Sequence, residues 1–261
     1  MNAMNSPIFG IVLSGGGIRG VAHIGLLQAL KEHQLIPSYI SGTSAGAVVG
    51  ALYSAGHSAE NMVKFFQNAH IFDFRRYTIK KPGLLDSESF IQYAKTYFKK
   101  DRFSELSIPL FITATDLNKG QNVIFSEGPL IRTMMASAAL PPVFSPIEMN
   151  GKLYTDGGIT NNFPIEPLLH FNVPIVGSFV NPINDTKNQE MGTTAKFIQR
   201  VFHVAIYDQS SKKFDHTNYL FTPHELENIG ILNTNQIDEA YEIGYQQAVK
   251  VIGDIKKAVL I

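Results

Sequence analysis

The stretch IVLSGGGIRGVAHIG, residues 11–25, joins an apolar run to a glycine cluster and then to a helical pattern. An apolar run that stops at glycines is typical of a buried strand whose end lets a bound group approach the backbone closely. Gly15, Gly16, Gly17 and Gly20 therefore mark the passage from a first strand to a first helix. This order predicts an α/β fold, and it raises the question of what the glycine loop holds.

The rest of the chain repeats this alternation, which predicts βαβ units around a mostly parallel sheet. The predicted strands cover residues 8–13, 39–41, 110–114, 123–125, a pair around 147–154, and 174–180. The predicted helices cover residues 20–34, 45–55, 59–68, 87–98, 130–139, 194–212 and 236–259. The last two helices carry apolar stripes at helical spacing, which predicts that both stripes face the core. The first stripe consists of Phe197, Ile198, Val201, Phe202, Ala205 and Ile206.

The composition argues against several classes of protein. The chain has 22 Lys and Arg and 22 Asp and Glu, so it lacks the basic excess of a nucleic-acid binder. It has no cysteine, and no clustered His, Asp and Glu residues predict a metal site, so we expect neither a metal nor a cofactor. The first ten residues lack the features of a signal peptide and no apolar run reaches spanning length, so we expect a cytoplasmic location. The oligomeric state is not predicted.

A peripheral contact with a membrane stays open. Residues 65–85 interleave aromatic with cationic side chains, which suits a lipid interface near anionic headgroups. The slightly favoured alternative is a helix end followed by a partly packed loop.

A serine between glycines follows the second predicted strand. Residues 42–46 form a G-x-S-x-G motif at a strand-to-helix turn, which is the setting of a nucleophile elbow. The sharp turn brings the residues two before and two after the serine together, so only small residues such as Gly42 and Gly46 fit there. Ser44 would then stand at the carboxyl end of its strand, with a helix N-terminus behind it. The alternative is an ordinary turn in which Ser44 caps the helix.

The glycine loop and the serine are about 30 residues apart, which is the length of one βαβ unit. A right-handed crossover would place the glycine loop and the serine side by side at the carboxyl ends of neighbouring strands. Successive glycine N–H groups can hold an anion there. Next to a nucleophilic serine, that anion is the oxyanion of an acyl intermediate. Arg19 either adds charge there or braces the loop through a salt bridge. The alternative is a dinucleotide site, but the second strand does not end in the acidic residue that would hold a ribose.

A nucleophilic serine needs a base, and the chain offers histidines or an aspartate. By their order, four histidines fit a Ser–acid–His triad, although none lies in a loop motif: His170, His203, His216 and His224. Asp156 ends the second strand of a hairpin and is followed by Gly157 and Gly158, which permit close approach. A simple turn aspartate is the alternative. Partial burial would raise the pKa of Asp156 above the reference value of about 3.9 and make it a stronger base.

Together these motifs resemble the patatin-like phospholipase family, whose pattern is a G-x-G-x-x-G loop, a G-x-S-x-G elbow and a D-G-G/A motif in that order. Here they stand as GGGIRG at 15–20, GTSAG at 42–46 and DGG at 156–158. The segments ASAALPPVFSP at 136–146 and NNFP at 161–164 are also similar. We expect a single patatin-like domain over 1–261, with a motif-bearing core over about 8–182 and a C-terminal helical part over about 183–261.

The resemblance implies a three-layer α/β/α fold and a serine esterase that hydrolyses acyl esters of lipids, as a phospholipase A or lysophospholipase does. By position, Ser44 is the nucleophile, Asp156 is the base that activates it, and the loop of Gly15, Gly16 and Gly17 is the oxyanion hole. The supporting residues are Arg19, Gly20, Gly42, Gly46, Gly157 and Gly158. The expected partner is a phospholipid, a lysophospholipid or another fatty-acyl ester. A non-catalytic lipid-binding or regulatory protein with an inherited site and, less favoured, a nucleotide-binding protein stay open.

Overall fold

The computed structural model describes residues 7–69, 87–184 and 192–260 of the chain. Within these ranges, eight strands form one mixed sheet. The strands are β1 Gly10–Leu13, β2 Tyr39–Thr43, β3 Leu110–Asp116, β4 Gln121–Phe125, β5 Ile147–Met149, β6 Lys152–Asp156, β7 Ile175–Ser178 and β8 Tyr219–Phe221. β3, β2, β1, β7 and β8 are neighbours in that order and run parallel, whereas β4, β5 and β6 pair antiparallel beside them.

The described ranges contain eight α-helices, and all seven predicted helices are among them. They are α1 Ala22–Glu32, α2 Ala45–Ser54, α3 Ala59–Asn68, α4 Ser87–Ala94, α5 Leu130–Ser137, α6 Glu166–Leu169, α7 Thr194–Ser211 and α8 Ile237–Val259. A 3-10 turn over Gly17–Val21 leads from the glycine loop into α1. The predicted strands are also present, and β8 is an addition that the sequence analysis did not expect.

The sheet separates two apolar cores, which confirms the predicted α/β fold. The larger core combines Ile11 and Leu13 of β1 with buried side chains of α1, α2, α3, α5 and α8. The smaller core combines Val12 of the same strand with Phe163 and with residues of α6 and α7. Neighbouring residues of β1 enter different cores because successive side chains of a strand point to opposite faces. The loops that carry the glycines and the serine are therefore held between two packed layers of helices.

β2 and β6 meet end to end along one edge of β3. β4 occupies the opposite edge along the second half of β3. On the shared edge, β2 ends with Thr43 opposite Thr113, and β6 ends with Asp156 opposite Ala114. Since β2 is parallel and β6 antiparallel to β3, their carboxyl ends point at each other. The last residue of β6 therefore lies beside the residue that follows β2.

The apolar stripe of α7 is not buried in the core, contrary to the prediction. The sequence analysis placed this stripe in the core, but Phe197, Val201 and Phe202 are 52–62% exposed. The other side of the helix, with Arg200 and His203, faces the protein and hydrogen-bonds to it. Periodicity indicates that a helix has an apolar side, but not which side faces the protein. The predicted core stripe of α8 is confirmed, with Ile237, Ala240, Gly244, Ala248 and Ile255 buried.

Part of the aromatic and cationic segment 65–85 also lies in the core. Phe65 and Phe66 are buried against neighbouring aromatic rings, so neither side chain is available to a lipid surface. The stretch 70–86 lies outside the described residues. In the described ranges, every helix is too short or too polar to cross a lipid bilayer.

Candidate active site

Ser44 lies in the tight turn between β2 and α2. Its backbone has φ 52° and ψ −124°, which places a residue with a side chain in the left-handed region that favours glycine. Its N–H donates to Ser137 Oγ at 2.8 Å, and Ser137 Oγ donates to the carbonyl of Thr113 at 2.6 Å. These bonds tie the strained turn to α5 and β3. Strain of this kind persists where the surrounding structure holds it, and it is common at functional sites.

The two glycines of the motif allow the turn to form. A Cβ on Gly42 would lie 2.7 Å from the carbonyl oxygen of Gly46, closer than real Cβ contacts come. A Cβ on Gly46 would overlap the carbonyl of Leu13 in β1. The turn therefore needs glycine at both positions, for the close approach that the sequence pattern predicted.

Asp156 lies directly beside Ser44, as the end-to-end arrangement of β2 and β6 requires. Ser44 Oγ donates to Asp156 Oδ2 at 2.6 Å, and the N–H of Gly158 donates to Asp156 Oδ1 at 2.7 Å. Burial raises the pKa of Asp156 to about 6, against the opposing effect of these two hydrogen bonds. The carboxyl group is therefore a stronger base than an exposed aspartate and is still ionised at neutral pH.

The glycines after Asp156 pack against backbone and side chains that also touch the site. A Cβ on Gly157 would overlap the carbonyl of Thr113, and one on Gly158 would lie 2.7 Å from Asn162 Oδ1. Asn162 is 2% exposed, and its side-chain N–H₂ group has no partner among the described residues. The sequence analysis gave Asn162 no role of its own and included it only in the NNFP segment at 161–164. Its position in the NNFP segment was the signal that could have singled it out.

The glycine loop lies against the serine. A Cβ on Gly15 would be 3.1 Å from Ser44 Cβ. The N–H of Gly15 donates to the carbonyl of Asn162 at 3.3 Å, and the carbonyl of Gly15 accepts from Asn181 Nδ2 at 2.5 Å. In the described part of the chain, the N–H groups of Gly16 and Gly17 have no hydrogen-bond acceptor. These two donors are the members of the predicted oxyanion hole that are not engaged elsewhere.

Arg19 braces the loop, although not through the salt bridge that the sequence analysis considered. It is 5% exposed, and its Nε and Nη2 donate to the carbonyls of Ile229 at 2.7 Å and Glu227 at 3.1 Å. The neighbouring Ile18 N–H donates to the carbonyl of Ile231 at 2.9 Å. Gly20 lies against Ala45, which follows the serine. Residues far along the chain thus hold the glycine loop in place.

None of the described histidines hydrogen-bonds to Ser44 or Asp156. His203 instead donates from Nε2 to the carbonyl of Asn181 at 3.2 Å. His23 lies beneath the glycine loop, with Nε2 donating to the carbonyl of Ser14 at 2.9 Å and Nδ1 accepting from Ser178 Oγ at 2.8 Å. Burial lowers the pKa of His23 to about 4, so it is neutral and acts as a brace. The geometry favours the aspartate over a histidine as the partner of Ser44.

No group of three or more His, Cys, Asp or Glu side chains in the described ranges could hold a metal ion. A surface cavity of about 560 Å³ lies at the amino end of β3, where Leu110 and Pro129 are among its lining residues. Ser44 follows the carboxyl end of the parallel strand β2, at the other end of the sheet. This cavity is therefore separate from the serine and aspartate.

The fold and the site define a class of α/β protein in which a serine stands at a strand-to-helix elbow beside a buried carboxylate. The chain belongs to the patatin-like phospholipase family, whose model matches residues 11–169. The resemblance of the three motifs to this family is thereby confirmed.

Curated relatives come from bacteria and fungi. An uncharacterized NTE family protein of Mycobacterium tuberculosis is 33% identical over 219 residues, which cover 80% of this chain and 60% of the relative. A lysophospholipase NTE1 of Cryptococcus neoformans is 29% identical over 193 residues, which cover 70% of this chain and 12% of that protein. The chain thus spans about 60% of the first of these relatives and a small part of the second.

Solved structures with the same fold share little sequence with the chain. VipD from Legionella pneumophila matches with a TM-score of 0.55 and 15% identity, over 95% of this chain and 67% of that chain. Human GIVD cytosolic phospholipase A2, solved with methyl gamma-linolenyl fluorophosphonate, matches with a TM-score of 0.51 and 11% identity, over 97% and 58% of the two chains. At 15% and 11% identity, the structural similarity to these two proteins establishes a shared fold and nothing about activity.

Proposed function

We propose that this protein is a carboxylic ester hydrolase that cleaves fatty-acyl esters of lipids, with Ser44 as nucleophile and Asp156 as general base. The observation that carries the proposal is the 2.6 Å hydrogen bond from Ser44 Oγ to Asp156 Oδ2 at a backbone turn with φ 52°. A strained serine whose hydroxyl donates to a buried carboxylate is the arrangement of an activated nucleophile and its base. The family to which the chain belongs supports lipid esters as the substrate class.

In the first half of the reaction, Asp156 Oδ2 takes the proton of Ser44 Oγ as the oxygen bonds to the acyl carbonyl carbon. The carbonyl oxygen becomes an oxyanion, and the free N–H groups of Gly16 and Gly17 are the proposed donors to it. Removal of one such donor typically costs about a hundredfold or more in rate. The intermediate then collapses, the ester C–O bond breaks, and Asp156 passes its proton to the leaving alcohol or lysolipid.

In the second half, water hydrolyses the acyl-Ser44 ester. Asp156 takes a proton from the water as its oxygen attacks the acyl carbon, and the same N–H groups hold the second oxyanion. Collapse breaks the bond to Ser44 Oγ, which recovers its proton from Asp156, and the fatty acid leaves. One carboxylate with a pKa of about 6 can serve both halves, because it gains and returns one proton in each.

The substrate is proposed to be a phospholipid or a lysophospholipid. One relative in the comparison is named a lysophospholipase, and it is 29% identical to this chain. The alternative is a non-catalytic lipid-binding protein with an inherited site. The hydrogen bond between Ser44 and Asp156 argues against this alternative, because nothing in binding alone requires a serine at a strained φ.

Ser44→Ala should abolish turnover of a short-chain p-nitrophenyl ester, with a loss of roughly 10⁴-fold or more. It should also abolish covalent labelling by a fluorophosphonate, because the attacking oxygen is gone. Asp156→Asn should lose activity nearly as fully. The measurements are ester hydrolysis, followed by absorbance, and intact-protein mass spectrometry after labelling.

Ser54→Ala is the matched control, because Ser54 is a buried serine at the far end of the same helix and its hydroxyl has no partner among the described residues. It should keep both turnover and labelling. Labelling of the Ser44→Ala protein at another residue would contradict the assignment of the nucleophile. A mild effect of Asp156→Asn would return the role of base to a histidine. If the Ser54→Ala and parent proteins show no turnover of any ester, the non-catalytic alternative holds.

A further inference from the structure

The first peptide group of the glycine loop, between Ser14 and Gly15, is engaged on both of its sides. Its carbonyl accepts from His23 Nε2 at 2.9 Å, and its N–H donates to the carbonyl of Asn162 at 3.3 Å. Both polar groups of this peptide are therefore used within the protein. The N–H of Gly15 is not available to a substrate, although it belongs to the loop that lies against the serine.

The second peptide group, between Gly15 and Gly16, is engaged on one side only. Its carbonyl accepts from Asn181 Nδ2 at 2.5 Å, whereas its N–H has no acceptor in the described part of the chain. A trans peptide is planar, so its carbonyl and its N–H point in opposite directions. The side chain that holds the carbonyl of Gly15 therefore also fixes the direction of the Gly16 N–H.

The two faces of the loop have different neighbours. A Cβ on Gly15 would lie 3.1 Å from Ser44 Cβ. A Cβ on Gly16 would instead lie 2.6 Å from Val180 Cγ2 and 3.2 Å from Asn181 Oδ1. The serine thus lies on one face of the loop, and the residues that follow β7 lie on the other. A carbonyl held by Asn181 is held on the face away from the serine.

The peptide between Gly15 and Gly16 needs such a restraint because both of its residues are glycines. Glycine adopts positive and negative φ almost equally well, so rotation of this peptide by half a turn meets little resistance from the local backbone. The rotated peptide would present its carbonyl oxygen where the N–H now points. A carbonyl oxygen there would repel an oxyanion that the N–H would stabilise. The direction of the peptide therefore decides whether Gly16 assists or opposes the reaction.

Asn181 is well placed to select that direction, because it is itself buried and fixed. Its exposed fraction is 4%, and its backbone carbonyl accepts from His203 Nε2 at 3.2 Å. The N–H of the preceding Val180 donates to Ser14 Oγ at 3.1 Å. A carbonyl can only accept a hydrogen bond, so the partner of Gly15 must be a donor, as the N–H₂ group of a carboxamide is.

We propose that Asn181 is a positioning residue of the oxyanion hole. Its side-chain N–H₂ group holds the carbonyl of Gly15 and so directs the N–H of Gly16 toward the oxyanion that forms at Ser44. This proposal rests on the proposed function, since an oxyanion forms only if Ser44 attacks an ester. Asn181 acts through the peptide and does not touch the substrate. Its loss should therefore weaken stabilisation of the transition state more than binding of the ester.

The test replaces Asn181 by leucine, which has a similar size and no hydrogen-bond donor. For a soluble p-nitrophenyl ester, Asn181→Leu should lower kcat by about 10- to 100-fold and leave KM within about twofold of the parent value. Fluorophosphonate labelling, carried to its end point and counted by mass spectrometry, gives the number of intact sites, so the rate is expressed per site. Asn181→Ala should behave alike, which separates loss of the donor from any misfit of the leucine side chain.

A second measurement compares two inhibitors that carry the same short alkyl chain. A trifluoromethyl ketone accepts Ser44 Oγ at its carbonyl carbon while Asp156 takes the Oγ proton, and the carbonyl oxygen becomes an oxyanion. Its inhibition constant should rise in Asn181→Leu by the factor by which kcat/KM falls. The corresponding trifluoromethyl alcohol forms no oxyanion, so its inhibition constant should stay unchanged.

Asn218→Leu is the matched control. Asn218 Oδ1 accepts from the N–H of Ile175 at 2.8 Å, so this substitution removes an amide-to-backbone hydrogen bond at the amino end of β7, the end away from Ser44. It should leave kcat, KM and both inhibition constants as they are in the parent protein.

Three results would overturn the role of Asn181. One is a parent-like kcat in Asn181→Leu, which would mean that the peptide keeps its direction without the side chain. Another is a lowered kcat with an unchanged inhibition constant for the ketone. The third is an equal weakening of the ketone and the alcohol, which would indicate general distortion of the site. If the parent protein itself hydrolyses no ester, the proposed function fails, whereas parent turnover with a parent-like Asn181→Leu removes only the role of Asn181.

Discussion

At the scale of single residues, the proton affinity of Asp156 sets the pH range in which the proposed mechanism works. The general base must be ionised to accept the proton of Ser44, and burial raises the pKa of Asp156 to about 6. We expect kcat/KM for a soluble short-chain ester to be constant from about pH 7 to 8 and to fall about tenfold per pH unit below pH 6. A pH series of initial rates measures this limb directly.

His203→Gln is the control for this pH dependence. His203 is one of the four histidines that fit a triad by chain order, and Asn181 links it to the carbonyl of Gly15. It should leave the acid limb in place. The limb should also move little with temperature, since ionisation of a carboxyl group absorbs little heat compared with that of an imidazole. A limb that disappears in His203→Gln would assign the titration to the histidine.

The raised pKa of Asp156 also means that its ionised carboxylate destabilises the folded protein at neutral pH. The folded protein binds this proton more tightly than the unfolded chain, so ionisation of the buried carboxyl group lowers the free energy of unfolding as the pH rises from about 4 through 6. A shift from 3.8 to about 6 corresponds to about 3 kcal/mol. Asp156→Asn removes the titration, so at pH 8 the variant should be more stable than the parent by up to about 3 kcal/mol.

Urea unfolding followed by circular dichroism at pH 4, 6 and 8 measures this difference, and other titrating groups cancel between parent and variant. The advantage of Asp156→Asn should shrink as the pH falls from 6 to 4, because the carboxyl group of the folded protein becomes protonated and that of the unfolded chain begins to be. A variant that is less stable at pH 8 would mean that the ionised carboxylate is compensated by its hydrogen bonds from Ser44 and Gly158. An inactive but more stable protein is the signature of a site that is held under strain for its chemistry.

At the scale of helices and strands, local sequence predicted most of the elements and the motifs but not how distant elements meet. The predicted strands and helices are present because each has its own apolar period, caps or turn residues. β8 was missed because three residues, Tyr219–Phe221, are too few to form a recognisable pattern. The end-to-end meeting of β2 and β6, which brings Asp156 to Ser44, depends on pairings with β3. No local pattern contains those pairings, so the sequence reached Asp156 through its glycines and the family resemblance.

The helices α7 and α8 illustrate the same limit. Both have apolar stripes at helical spacing, and the sequence analysis assigned both to the core. α8 buries its stripe against α1, whereas α7 presents its stripe outward because Arg200 and His203 find partners on the protein side. The partners of these polar groups are backbone carbonyls and Glu227, which are distant in sequence. The direction of an amphipathic helix is therefore a tertiary property.

At the scale of the whole molecule, the last part of the chain completes the glycine loop. Arg19 and Ile18 are held by the carbonyls of residues 227–231, and β8 extends the parallel sheet beside β7. α8 then packs against α1, the helix that follows the loop, at backbone contact: a Cβ on Gly244 would overlap the carbonyl of Ala22. The segment that the sequence analysis described least is thus part of the support of the proposed oxyanion hole.

This arrangement predicts that Gly244→Ala disturbs stability and activity together. The added methyl group would push α8 away from α1, with an expected loss of about 1–3 kcal/mol in the free energy of unfolding. Gly253→Ala is the control in the same helix, since nothing lies within 4 Å of the added Cβ, and it should stabilise the protein by about 0.5–1 kcal/mol. In both variants, ester hydrolysis and circular dichroism should disappear over the same range of urea concentration. If Gly244→Ala instead lost helical signal at low urea while turnover persisted, α8 would unfold separately, and the chain would not be the single cooperative domain that we propose.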